Sequence, residues 1–309
     1  MSTRIDLSRH SSYSDPGRHA GLLDAVPTDL PGLSAVARNV IVHYRTFSSD
    51  LPATTRDDIH LRWLSAILDV DQSRHDRPLA GPRELASRVQ GCCRDHTLFC
   101  VGALRQHGIA ARSRIGFADY FAPDFHHDHV VVETWQAGRW VRFDPEVEAP
   151  RDGIPTPMDI PAGPGAPFQT AAEVWQGYRS GAVDPSRFGV EPGTDLSGPW
   201  FIQCYVLMEL AHRQGDELLL WDGWGAMSQP GALDAAEVAL ADEVAALLVA
   251  ADGGDDGAEA ELGRRYAADV RLHPGPQVLR QSPFGGPPQR DEVGPRHIAV
   301  GSTTTAVTN

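Results

Sequence analysis

The chain has 309 residues, of which 41% are apolar and 22% charged, the balance of a packed globular protein rather than a disordered one. Its formal charge of −14 argues against nucleic acid and against an anionic membrane surface as partners. All 27 basic residues are arginine, so no lysine of this chain can act as an acceptor amine.

No run approaches the roughly 18 apolar residues that a membrane span needs. The start of the chain, Met1 to Asp15, is polar and lacks the apolar heart of a secretory signal, so the expected location is cytoplasmic. In a reducing compartment Cys92, Cys93, Cys100 and Cys204 are expected as free thiols rather than as a disulfide framework.

Residues 1–12 are expected to be flexible. Helical periodicity then runs over 32–47 and 56–70; in the second stretch Ile59, Trp63, Ala66 and Ile67 share one face. The segment 91–108 is a helix entered through Gly91, with Asp95 in its first turn and Gly108 as a left-handed stop. Thr97, Val101 and Leu104 give it an inward stripe. The period then changes to that of strands at 111–117, 129–135 and 140–144, the last two joined as a hairpin across residues 136–139.

Residues 150–167 hold six prolines and three glycines, the composition of a loop on the surface. Helices return at 170–180, 199–213 and 234–251, followed by an acidic, solvated turn at 252–257. From about Pro274 the composition turns to Pro, Gly, Ser and Thr. One α+β domain over 13–275, helices against an antiparallel sheet, followed by a largely disordered tail at 276–309, is the organisation this pattern predicts.

The chemistry gathers around Cys93, which opens the helix at 91–108. The partial positive charge of a helix N-terminus favours thiolate over thiol. A lone cysteine at a helix start is more often structural, so the case for a nucleophile rests on a base and an orienting acid. His129 begins one strand of the hairpin and Asp144 closes the other. If Trp135 pairs with Trp140, Asp144 falls opposite Val131 and on the His129 face. The two are then diagonal neighbours, about 7–8 Å apart at the backbone and within side-chain reach. A slip of one residue would send Asp144 to the other face. Cys93, His129 and Asp144 are therefore the candidate nucleophile, base and orienter.

Other groups are weaker candidates. His126, His127, Asp128 and His129 lie near two cysteines, but adjacent cysteines lack the usual spacing of metal ligands, and no metal or other cofactor is expected. Cys92 is expected to pack inward. His126 and His127 are either site-rim residues or loop polars. Cys100 and Cys204 fit core thiols. Trp221, Asp222 and Trp224 are more often packing than a substrate wall. Neither a serine-hydrolase elbow nor a phosphate-binding glycine loop occurs.

The run Gly91-Cys92-Cys93-Arg94-Asp95-His96-Thr97, with Leu104-Arg105-Gln106-His107-Gly108-Ile109-Ala110-Ala111-Arg112, resembles the core of the transglutaminase-like superfamily. His129 to Glu133, then Gly138-Arg139-Trp140-Val141 and Asp144-Pro145, are similar to that family's His strand and Asp-Pro strand. The resemblance implies a papain-like α+β cysteine fold with the nucleophile helix on an antiparallel sheet, and a catalytic set of Cys93, His129 and Asp144. It implies acyl transfer through a thioacyl-enzyme, either amide or peptide hydrolysis or transamidation, with a small-molecule, peptide or carrier-bound acyl donor. Two other readings go with the family: a non-catalytic binding module and a protein-crosslinking transglutaminase. The sequence departs from the family pattern at Ala110, where Pro is usual, and at Val131, where many members carry Trp.

Overall fold

In the computed structural model, which describes residues 5–150, 153–163 and 165–294, the N-terminal stretch is tied down rather than flexible. Ala111 N–H donates to Leu7 O at 3.0 Å, and His10 Nε2 meets Gln106 Oε1 at 3.1 Å. The expectation of a flexible start is corrected for residues 5–12, and residues 1–4 lie outside the described residues.

A short α1 (Ala20–Leu23) precedes α2 (Leu30–Val40), which Asp29 caps by accepting the Gly32 N–H at 2.9 Å. The helix expected to reach residue 47 stops at Val40. The β-branched pair Ile41 and Val42 instead enters β1 (Ile41–His43), which pairs in parallel with β2 (Val89–Gly91). That pairing fixes the strand leading into Cys93. The helix expected over 56–70 is also broken. A 3₁₀ run, Ala53–His60, is followed by extended backbone and then α3 (Leu64–His75). The break falls where Arg62 turns inward and grips Asp222 with two hydrogen bonds of 2.9 and 2.7 Å.

At the centre lies α4 (Cys93–Gln106), in which every residue from Cys93 to Arg105 is buried. Its Gly102 leaves no room for a Cβ, which would collide with the Leu64 side chain, so α3 crosses it closely. Gly108 ends it at φ 70°, a conformation that suits glycine. The sheet it packs on contains β3 (Ala111–Ala122), β4 (Phe125–Gln136), β5 (Arg139–Phe143) and β6 (Phe168–Thr170), antiparallel in the order β5-β4-β3-β6. The two-residue strand β7 (Phe188–Gly189) adds in parallel beside His126 and His127. The β4–β5 turn uses positive φ at both Ala137 and Gly138, the backbone that a two-residue hairpin needs. It pairs Trp135 with Trp140.

Ile115, Phe117, Val130 and Val132 join the main core with Leu98, Val101 and Leu104 of α4. Ala118, Tyr120, Val131, Val147 and Phe168 form a second cluster with Ile154 and Ile160 from the proline-rich loop. That loop is pinned to the sheet, since Ile160 N–H donates to Arg142 O at 2.7 Å and Asp144 N–H to Pro157 O at 2.9 Å.

Four helices follow: α5 (Ala171–Arg179), α6 (Pro199–Arg213), α7 (Ala235–Asp252) and α8 (Asp256–Ala268). The turn expected at 252–257 is exposed throughout but shorter than expected at both ends. Asp252 closes α7 and meets Arg114 and Arg213, with Nη1 of each at 2.7 Å from its Oδ1, while Asp256 opens a helix. No helix among the described residues is long and apolar enough to cross a membrane.

The expected tail is corrected as well. β8 (Asp222–Gly223), β9 (Gln277–Arg280) and β10 (Gln289–Glu292) make a second, antiparallel sheet in the order β10-β9-β8. Polar composition hid these strands, whose hold comes from charge: Asp291 of β10 lies 2.8 Å from Arg62 Nη2 and 2.7 Å from Arg280 Nε. Phe284 stacks edge-on against Tyr44, with ring centroids 5.4 Å apart. Residues 295–309, including Ile298, lie outside the described residues. Removing residues 285–309 is accordingly expected to lower the melting temperature. Asp291→Ala, which leaves the buried Arg62 a partner short, is expected to cost about 1–3 kcal/mol. Melting temperatures equal to the parent's in both variants would show that the hairpin carries no load.

Candidate active site

The turn from β2 into α4 places Cys92 and Cys93 at the mouth of the helix. Asp95 Oδ2 accepts the Cys92 N–H at 2.8 Å, and Arg94 holds the other oxygen of Asp95 at 2.8 Å. The neighbouring Cys92 thiol, then burial and the nearby carboxylates Glu146 and Asp128, push the Cys93 thiol well above its ordinary range. The preference for thiolate expected from the helix dipole is therefore overridden by the surroundings. Alkylation of Cys93 by iodoacetamide should climb continuously between about pH 6 and 9. A rate that is level across that span would mean a preformed thiolate.

His129 lies in β4 and Asp144 just past β5. In the observed register, Val132 faces Phe143, so Asp144 comes next to Val131 on the side of His129. His129 Nε2 is 2.8 Å from Asp144 Oδ2. The same oxygen accepts the Tyr120 hydroxyl at 2.7 Å, and Oδ1 accepts the Glu146 N–H at 2.8 Å. Asp144 is wholly buried, so both its oxygens are fixed by the protein. Burial works against a charged His129 ring, but Asp144, with Glu146 and Asp128, outweighs it and raises the pKa. Phe121 meets the imidazole edge-on at a centroid distance of 4.8 Å.

Two carboxylates lie close to the thiols: Glu146, which the sequence does not single out, and Asp128, which it offers only as a weak metal candidate. Glu146 Oε1 lies 2.9 Å from His96 Nδ1, an ion-pair contact rather than an aligned hydrogen bond, since that nitrogen is directed at Cys92 O. Burial alone would raise its pKa, yet His43 and His96 bring Glu146 far below the usual carboxylate range. Asp128 Oδ2 accepts the Tyr205 hydroxyl at 2.5 Å, and burial raises this carboxyl above its ordinary value. Its Oδ1 has no hydrogen-bond partner among the described residues.

Cys92, Cys93, Asp128, His129 and Glu146 all border one cavity of about 780 Å³. Asp144 stands behind His129 and does not line it. His127 reaches the cavity with its Nδ1 tied to Val190 O at 2.9 Å, whereas His126 stacks on Phe188 at 4.2 Å and takes no part. Cys100 is a core thiol, as expected. Cys204 is buried, with its pKa pushed up to about 12, but it also borders the cavity. Trp221, Asp222 and Trp224, expected as packing, line it too, and Asp222 does so while paired with Arg62. Among the described residues, no group of three or more His, Cys, Asp or Glu side chains could hold a metal ion.

The family model described as the transglutaminase-like superfamily matches residues 47–145. Those residues belong to the transglutaminase-like superfamily. At that level the superfamily indicates cysteine-dependent acyl transfer. No curated protein matches the chain, and no solved structure does. Cys93, His129 and Asp144 all fall inside the transglutaminase-like core. Trp200, Phe201, Trp221, Trp224, Leu279 and Arg290, which also line the cavity, fall outside it. Val131, at the position where the family pattern has Trp, is wholly buried in the second apolar cluster and does not border the cavity.

Proposed function

We propose that the protein transfers an acyl group through a thioester to Cys93, on a papain-like arrangement of Cys93, His129 and Asp144. The observation that carries this is the His129–Asp144 pair, 2.8 Å apart and buried, with its imidazole bordering the same cavity as the Cys93 thiol. Asp144 fixes the ring through Nε2, which leaves Nδ1 as the nitrogen to exchange a proton with sulfur. Because the thiol is held neutral, proton removal accompanies attack rather than preceding it. Cys93 sulfur bonds to the carbonyl carbon of an ester, amide or thioester, and His129 takes the thiol proton. The first-turn amide of Cys93, one of the donors a helix leaves unpaired, faces the developing oxyanion. His129 then protonates the leaving group. Water or an amine, deprotonated in turn by His129, releases the acyl group and restores the thiol.

The test is intact-mass measurement after mixing the protein with acyl thioesters, with and without amines. An acyl adduct localised to Cys93 and absent from Cys93→Ala is expected. No adduct with any donor would reject the proposal. The acyl donor is taken to be small or carrier-bound rather than a folded protein, since the cavity is walled by residues outside the transglutaminase-like core and Val131 supplies no aromatic wall for a lysine tunnel. A casein crosslinking assay with a fluorescent amine should therefore be negative. Robust incorporation into a protein glutamine would put a protein-crosslinking transglutaminase in its place.

A further inference from the structure

We infer that the cavity beside Cys93 receives an acyl group with an apolar body, aryl-alkyl or medium-chain aliphatic, and that segments outside the transglutaminase-like core set the length it accepts; this rests on the acylation of Cys93 proposed above. A volume of about 780 Å³ lies within the roughly 300–1,000 Å³ typical of pockets that enclose a small molecule. Much of its wall is aromatic, and the polar atoms of those rings are already used. Trp200 Nε1 donates to Asp195 O at 3.0 Å, Trp221 Nε1 to His60 Nδ1 at 3.2 Å, and Trp224 Nε1 to Leu272 O at 3.3 Å. The Tyr205 hydroxyl is held by Asp128. What these side chains present to a ligand is therefore hydrocarbon, and Met208, Met227 and Leu279 add more of it.

A polar acyl chain placed there would give up water without finding partners, whereas an apolar one gains by its burial. The polar side chains of the lining stand near the thiol or are exposed, as Gln229 and Gln281 are. Asp128 and His129 are grouped near the thiol, and the two arginines of the lining, Arg45 and Arg290, are exposed, which puts their charge at the rim. Most of this hydrocarbon comes from three places in the chain: α6, the segment after it that carries Trp221 to Met227, and the β9–β10 hairpin.

The experiment uses the full chain and a series of N-acetylcysteamine thioesters: acetyl, butyryl, phenylbutyryl and decanoyl. Acylation of Cys93, followed by intact mass, should be at least about thirtyfold more efficient with phenylbutyryl or decanoyl than with acetyl, a small part of the roughly fourfold per methylene that full burial gives. Met227→Trp and Leu279→Trp fill the cavity from different segments. Each should lower the decanoyl-to-acetyl ratio at least about tenfold, so a folding failure in one leaves the other to report. Binding of the same thioesters to Cys93→Ala, read by indole fluorescence, should follow the same order. Cys93 acylation at equal rates across the series would overturn the inference while leaving acyl transfer standing. Graded binding to Cys93→Ala without acylation of the parent would support the apolar cavity and reject the acyl-transfer proposal. Neither binding nor acylation would reject both.

Discussion

Asp144→Asn is expected to lower kcat/KM for thioester turnover by about 10²–10⁴-fold and to move the acidic limb of the pH profile to lower pH. The direction follows from His129. Its pKa lies above the ordinary 6.5, with Asp144 the largest influence holding it up against burial. Only the neutral ring can take the thiol proton, so activity in the parent should rise as the pH climbs through that raised value, on the alkaline side of 6.5. An asparagine keeps the shape but cannot favour imidazolium, and the limb shifts down even as the rate falls. Steady-state kinetics between about pH 5 and 9 read both effects. A variant whose limb stays in place, whatever its rate, would reduce Asp144 to a structural part. Tyr120→Phe removes a second donor to the same carboxylate oxygen and is the milder companion.

Glu133→Gln is expected to destabilise the protein by about 3–5 kcal/mol, the usual effect of removing one member of a buried ionic cluster. Glu133 sits across β4 from Arg112 on β3 and from Arg142 on β5, directly opposite both in the sheet register. Arg112 Nε donates to Oε2 at 2.8 Å, and Arg142 donates to Oε1 from Nε at 3.0 Å and from Nη2 at 2.9 Å. Arg114 continues the cluster to Glu209 at 3.0 Å and to Asp252, and Arg213 joins Asp252 to Glu259. Burial alone would raise the Glu133 pKa, but Arg114, Arg112 and Arg142 together lower it to about 2. A carboxylate depressed in the folded state stabilises fully above its unfolded value, here 4.5, and less and less as pH falls toward 2. Urea midpoints near neutral pH should separate parent from variant widely, and the gap should narrow in acid. A variant as stable as the parent at neutral pH would mean that the arginines find other partners.

The elements that carry Cys93, His129 and Asp144 were legible because they depend on short-range pattern. The spacing from Gly91 to Gly108 marks a helix that is found at Cys93–Gln106, and parity along 129–144 brings His129 and Asp144 to one side. The sheet was legible for the same reason, since alternation along 111–117 and 129–135 is a local signal. What stayed hidden is long-range. Whether 41–43 continues a helix or joins a strand depends on Val89–Gly91, dozens of residues away. The break at Arg62 depends on Asp222, and the order at Asp291 depends on Arg62. Asp128 adjoins His129 and Glu146 lies two residues past Asp144, but no spacing rule connects them to their partners Tyr205 and His96. The helix Asp256–Ala268, only whose first two residues fall in the turn expected at 252–257, gives little periodic signal because its inward face is only Ala258, Leu262 and Tyr266. At 41–43, at Arg62 and at Asp291, a charge partner or a strand from elsewhere in the chain decided the local structure.

The β9–β10 hairpin borders the cavity yet is made after nearly everything else the site contains. During synthesis, α4 and the β4–β5 hairpin leave the ribosome while residues 277–292 do not yet exist, and a domain folds as a unit. The cavity beside Cys93 is therefore closed only after the hairpin has been made. In that interval the thiol is open to cellular electrophiles, and the hydrocarbon later turned toward a substrate is exposed to other nascent chains.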